Sequence, residues 1–207
     1  MREVETHPKP KGFIPENCKT LIIGTFPPKK EYLNNHHFFF YPSVRNHFWN
    51  RMENIFPEYR LKWTKNKCAD LTTEQNLIDK EKFSTEKRIG FLDIFTRISR
   101  KNDESSKDID LIPIENVVQN NKIFHILEQH PSITKICCTY KLAYEVLIES
   151  LEASTLKTRP NKLAANGKEE LLNYKERSIE IYLLFPATRS REKKEIKDFQ
   201  YKELIFN

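Results

Sequence analysis

Glycine is scarce, four in 207 residues, which excludes collagen-like and glycine-linker architectures. Cysteine is also scarce. Cys18, Cys68, Cys137 and Cys138 contain no CxxC pair, which argues against a zinc or iron–sulfur centre and against a secreted disulfide framework. The four read as buried thiols, and the adjacent Cys137 and Cys138 should point to opposite faces of a strand. No run of eighteen apolar residues occurs, so no membrane span is expected. The opening MREVETHPKPKG lacks the apolar stretch of a secretion signal, and the expected compartment is the cytoplasm.

Aromatic residues are plentiful. Fourteen Phe, eight Tyr and two Trp can bury a core, which excludes a wholly disordered chain. The length suits one domain spanning 1–207, with residues 58–88 reading as a helical insertion. The net charge of +6 is uneven. Residues 1–70 hold twelve Lys/Arg against seven Asp/Glu, residues 71–154 eleven against fourteen, and residues 155–207 twelve against eight. If the two ends meet in space, they form a basic face suited to a polyanion such as DNA or RNA. A solvated Lys/Glu-rich surface explains the same counts.

Four short apolar runs predict strands: Thr20 to Gly24, Gly90 to Ile94, Ile133 to Cys138 and Ser178 to Phe185. Their unbroken apolar character fits strands covered on both faces, the habit of parallel sheets. Helical spacing appears over Arg45 to Ile55, Ile114 to Glu128, Leu142 to Leu151 and Glu192 to Phe206. The last of these offers Ile196, Phe199 and Leu204 as its apolar positions. Residues 100–110 and 153–177 read as polar loops or hairpin arms. The expected fold is α/β, a three-layer sandwich around a mainly parallel four-stranded sheet.

In such a fold ligands bind at the carboxyl ends of the strands. After the first strand comes Gly24-Thr25-Phe26-Pro27-Pro28, a rigid turn. Further on comes Phe38-Phe39-Phe40-Tyr41-Pro42-Ser43-Val44-Arg45-Asn46-His47-Phe48-Trp49. The pairing of LIIGTFPP with FFFYPSVRNHFW resembles the uracil-DNA glycosylase superfamily, nearest to its mismatch-specific and hypoxanthine branches. GFLDIFTRISRKNDESSKDI and LEQHPSITKICCTYKLAYEVL resemble later segments of the same branch. The resemblance covers most of the chain apart from residues 58–88 and roughly 153–177.

The resemblance implies an enzyme that flips a deaminated base, uracil or hypoxanthine, out of DNA and hydrolyses its N-glycosidic bond. It implies no metal and no organic cofactor, and a monomer acting on DNA with a damaged or mismatched base. The base platform falls to Tyr41 or its neighbour Phe40, although Phe38–Tyr41 also reads as ordinary core. Asn46 is the candidate for positioning water, and it equally suits a helix N-cap. Gly24, Thr25, Phe26 and Thr139 complete the base pocket, and Arg45, Arg189, Ser190 and Arg191 are the DNA contacts.

The chain departs from the superfamily at the first turn. Thr25 and Phe26 stand where strict uracil-specific members carry Asp and His, and Thr139 stands where an Asn often reads the base edge. Asp93 and Asp108 remain as candidate auxiliary carboxylates. Lys29 and Lys30 suit phosphate contacts, and His47 could polarise a phosphate or the base. His36 and His37 lack a third ligand at useful spacing. His130-Pro131-Ser132 imitates the superfamily's final-loop motif but precedes a strand, and reads as a turn. Two rival readings stand beside the enzyme: a catalytically weak or inactive DNA-binding protein of the same fold, and a hydrolase of free nucleosides.

Overall fold

A computed structural model describes residues 3–28, 39–42, 47–59, 61, 74–102, 105, 107–118, 122–151, 153–187 and 192–207. Nine strands lie among them: β1 (Glu5–Thr6), β2 (Thr20–Gly24), β3 (Ile89–Asp93), β4 (Phe95–Arg100), β5 (Leu111–Asn116), β6 (Lys135–Cys138), β7 (Leu156–Pro160), β8 (Lys168–Tyr174) and β9 (Arg177–Leu183). The helices are α1 (Phe48–Ile55), α2 (Glu74–Glu86), α3 (Lys122–Gln129), α4 (Lys141–Ser150) and α5 (Lys194–Phe206). None of the described helices is long and apolar enough to cross a membrane.

The main sheet has the order β3-β2-β6-β9-β8-β7. Its first four strands are parallel, while β8 and β7 add antiparallel. The four apolar runs are therefore neighbours in one parallel array, and the expected four-stranded sheet is corrected to six. The addition comes from residues 153–177. β7 is largely exposed and polar, and β8 buries two glutamates beside two leucines, a weaker sequence signal than an unbroken apolar strand. Beside β3, the segment at Phe13 forms a bridge to Phe91 through two main-chain hydrogen bonds of 2.8 and 2.7 Å.

Helices cover both faces. Leu21, Ile23, Leu92, Ile136 and Cys138 pack with Ile123 and Leu127 of α3 and Ala143 and Leu147 of α4. Ile22, Phe91, Cys137 and Tyr182 pack with Phe48, Trp49 and Met52 of α1, Phe83 of α2 and Tyr201 of α5. Cys137 and Cys138 thus take opposite faces. Burial pushes the thiols of Cys18 and Cys137 up to about 12 and that of Cys138 well above its ordinary value, so all three act as small apolar groups.

A second sheet, β1-β4-β5, is antiparallel. Only Ile94 separates β3 from β4, so the second sheet springs directly from the carboxyl edge of the first. This corrects the helix expected from Ile114 to Glu128: Leu111–Asn116 is β5, and the helix begins at Lys122. Pairing with β4 outweighs the helical spacing, and the Asn116 side chain accepts the Val118 N–H at 2.9 Å to turn the chain.

The closing helix also differs in its buried face. Ile196 and Phe199 are exposed, whereas Lys197, Gln200, Tyr201, Leu204 and Ile205 are buried. The polar members are satisfied by backbone. Lys197 donates to the Pro186 carbonyl at 3.1 Å, the Tyr201 hydroxyl donates to that of Phe185 at 2.9 Å, and the Gln200 side-chain carbonyl accepts the Phe185 N–H at 2.7 Å. Arg51 on α1 meets Asp198 on α5 at 2.6 Å, joining the two basic ends of the chain.

Candidate active site

The strand order locates the site before any side chain does. From β2 the chain crosses to β3 on one side, and from β6 it crosses to β7 at the other margin and returns through β8 to β9. The connections therefore diverge between β2 and β6, and in such sheets the binding crevice lies beyond the carboxyl ends at that point. Gly24 ends β2 and Cys138 ends β6, so Thr25 and Thr139 are the first residues past the sheet on either side of that crevice. The Thr139 amide and hydroxyl both donate to the Ile23 carbonyl, at 3.0 and 3.3 Å, which ties the two strand ends together.

Tyr41 comes to this point from the aromatic face. Its hydroxyl lies 2.9 Å from the Thr139 hydroxyl oxygen, and its ring stacks on Phe48 with centroids 4.6 Å apart. Since the Thr139 proton serves the Ile23 carbonyl, Tyr41 is the donor between them. Burial and the charge of Asp93 hold the Tyr41 hydroxyl well above its ordinary pKa, so it stays protonated. Its φ of 56° lies in the left-handed region, costly for a bulky residue. Trp49, wholly buried on α1, fixes the preceding residue by donating its indole N–H to the Phe40 carbonyl at 2.8 Å.

Gly24 makes room for a carboxylate. A Cβ there would lie 2.3 Å from Asp93 Oδ1 and 3.3 Å from the Tyr41 hydroxyl oxygen. The other Asp93 oxygen meets His7 Nε2 at 3.0 Å. The Lys9 amide donates to His7 Nδ1 at 2.9 Å, so Nδ1 carries no proton and Nε2 is the donor to Asp93. His7 also stacks on Phe40 and meets the edge of Phe26. Sequence reading passed over His7; its sole signal was a histidine in an otherwise unremarkable leader.

A second carboxylate reaches the same turn from the far side. The Thr25 hydroxyl donates to Asp108 Oδ1 at 2.9 Å. Asp108 opens a short 3-10 turn, Asp108–Asp110, that leads into β5. Burial and the charge of Asp93 raise its pKa, against the Thr25 hydrogen bond and the charge of Arg100. Arg100 is buried and ties three segments together. It donates to Glu5 Oε1 at 2.8 Å, to the Ser105 carbonyl at 2.8 Å and to the Pro27 carbonyl at 3.0 Å. The leader, the first turn and the loop carrying Asp108 are thereby held as one unit.

No protein-family model matches the chain, and no curated protein matches it. Seven chains of solved structures do match. One is the solution NMR structure of a protein from Methanosarcina acetivorans named a "putative Uracil DNA glycosylase". It is 20% identical, with a TM-score of 0.54, and the match covers 96% of this chain and 94% of that one. The two share a fold. The match spans nearly the whole of both chains.

Of the residues named from sequence, Gly24, Thr25, Tyr41 and Thr139 come together at the switch-point crevice. Phe26 lies against His7, and the Arg100 guanidinium sits 5.8 Å from its ring centroid. Phe40 is 1% exposed, with His7 on one face and Phe91 on the other at 5.9 and 5.8 Å. It is therefore core rather than an open platform. The N-cap of α1 is His47, not Asn46, and it makes no capping hydrogen bond through its side chain. Asn46, Arg45, Arg189, Ser190, Arg191, Lys29, Lys30, His36 and His37 lie outside the described residues. His130-Pro131-Ser132 is a turn at the amino edge, with the Ser132 hydroxyl bonded to the Cys18 carbonyl at 2.8 Å. Among the described residues no group of three His, Cys, Asp or Glu is placed to hold a metal ion.

Proposed function

We propose that this chain is a DNA glycosylase that extrudes a deaminated base, uracil or hypoxanthine, and hydrolyses its N-glycosidic bond without metal or organic cofactor. The observation that carries the reading is the Tyr41–Thr139 contact across the β2/β6 crevice, built on a strained backbone at the point where such sheets bind ligands. The shared fold with the Methanosarcina acetivorans protein supports it.

In this reading the flipped base enters the crevice against Tyr41, whose ring is backed by Phe48. Base–aromatic stacking is worth about 1–3 kcal/mol and offsets the few kcal/mol spent on unstacking. The Tyr41 and Thr139 hydroxyls, whose protons serve Thr139 and the Ile23 carbonyl in the free site, turn to the base edge when the base enters. Rotating hydroxyls discriminate less sharply than an amide, so the proposal extends to more than one deaminated base. Asn46 positions the water, and Arg45, Arg189, Ser190 and Arg191 contact the DNA backbone or the vacated stack.

The test is incubation with duplex and single-stranded oligonucleotides carrying uracil or hypoxanthine, followed by alkali. Strand cleavage at the lesion is expected. Cleavage on none of the substrates removes the proposal. An Asn46→Ala variant is expected to lose at least tenfold in turnover with DNA binding largely kept. Salt-sensitive lesion binding with no base release would instead favour the inactive DNA-binding reading, which draws on the absence of an acidic side chain from the first turn itself.

A further inference from the structure

We propose that Asp108 is a catalytic carboxylate of this site, the group that accepts the proton of the attacking water. The proposal rests on the glycosylase reading and supplies what the first turn lacks. The turn holds no acid of its own, yet Thr25, its first residue, is bonded to one that arrives from 83 positions along the chain.

The two carboxylates at the crevice have opposite surroundings. Asp93 is buried, with one oxygen on His7 and the other pressed to Gly24, so neither is placed to handle a water. Asp108 is half-buried. Its Oδ1 accepts from Thr25, and its Oδ2 has no hydrogen-bond partner among the described residues. The groups acting on Asp108 are Thr25 from the first turn, Asp93 from β3 and Arg100 from β4. Asp93 also acts on the Tyr41 hydroxyl, so both the acid and the base platform feel its charge. Paired carboxylates whose environments differ in this way take different roles: the enclosed one shapes the field, and the open one exchanges protons.

The step balances without a co-reactant beyond water. The C1′–N bond breaks and its electron pair leaves with the base, giving an oxocarbenium-like sugar. The water oxygen forms the new bond to C1′ and passes its proton to Asp108, which returns it to solvent. The departing base takes its proton from solvent. Arg100 holds the loop through the Ser105 and Pro27 carbonyls, so it positions the acid and touches nothing that reacts.

A general base is worth about 100-fold or more. Asp108→Asn should lower single-turnover base release by about that factor while duplex binding changes less than about threefold. In the wild type, activity should rise with pH as Asp108 ionises. Asp108→Asn should abolish this acidic limb. Thr25→Val removes a donor to the ionised form and should move the limb to higher pH. A fall of less than tenfold in Asp108→Asn with the limb unchanged overturns the proposal.

A second readout needs no turnover. DNA bearing a cationic pyrrolidine in place of the lesion nucleotide mimics the charged sugar, and a neutral tetrahydrofuran is its control. The wild type should prefer the cation by about tenfold above the limb and lose that preference below it, and Asp108→Asn should show none. Absence of the preference in the wild type overturns the proposal even if Asp108→Asn fails to fold. Absence of base release with the preference intact removes the glycosylase reading and with it the general-base step, leaving Asp108 only as the group that binds the cation.

Discussion

Two threonines flank β2, one at each end, and they do different things. Thr20, at the amino end, donates its hydroxyl to the Ile205 carbonyl at 2.7 Å. Thr25, past the carboxyl end, donates to the carboxylate of Asp108 at 2.9 Å. The contrast extends along both edges of the sheet. At the amino edge, Ser132 answers the Cys18 carbonyl and Arg177 answers those of Leu127 and Pro131. Each is a side chain closing a main-chain acceptor. At the carboxyl edge side chains also bind one another, His7 meeting the Asp93 carboxylate and Arg100 meeting Glu5. Such networks stabilise little relative to apolar packing and are costly when half-broken. They lie at the edge where the proposed chemistry would take place.

The contrast can be tested from either end. Arg100→Met leaves Glu5 buried without its partner, and urea denaturation should show a loss of about 3–5 kcal/mol. Gly24→Ala forces the Asp93 carboxylate away from a Cβ that would stand 2.3 Å from it. Displacing the site by about 1 Å should cut base release about 100-fold, read in single-turnover assays.

Lys80 separates buried charge from function. It is buried on α2, 5.2 Å from the centroid of the Trp49 ring, and burial lowers its pKa to about 7. The unfolded chain then binds more protons than the folded one between about pH 7 and 10.5. Stability should therefore rise with pH across that window, by at most about 1.4 kcal/mol per pH unit, and level off below about pH 7, where both states hold the proton. Lys80→Met should flatten that slope in denaturation curves and leave base release unchanged. The smallest effect belongs to Thr20→Val, about 1 kcal/mol of stability with activity intact. Thr25→Val shifts activity instead.

Much of the architecture was legible in the sequence. The four apolar runs are four adjacent parallel strands, because strands buried on both faces must be written in continuous apolar residues. The hairpin of β7 and β8 was legible only as arms, since its outer residues are polar. The end of β5 was hidden because Val117, Val118, Ile123 and Leu127, just beyond it, keep a helical rhythm that reads back into the strand. In α5 the apolar spelling misled: Lys197, Gln200 and Tyr201 go inside because carbonyls of Phe185 and Pro186, and the Phe185 N–H, wait for them. At the site, Gly24, Thr25 and Thr139 were readable because a strand end announces itself, and Tyr41 because it lies in the aromatic run that carries the resemblance. The partnership of Thr25 with Asp108 and of Asp93 with His7 was not, since 83 and 86 positions separate the partners and only the tertiary fold brings them together.

The outermost strands of the main sheet bear on how the protein behaves among its own copies. β7 turns Lys157, Thr158, Arg159 and Pro160 to solvent along its open margin. Two cationic side chains and a ring that offers no N–H make poor company for an incoming strand. At the opposite margin the leader already occupies β3 through Phe13. Templated stacking of one molecule onto the next is thus discouraged at both flanks, and the sheet ends where the chain ends it.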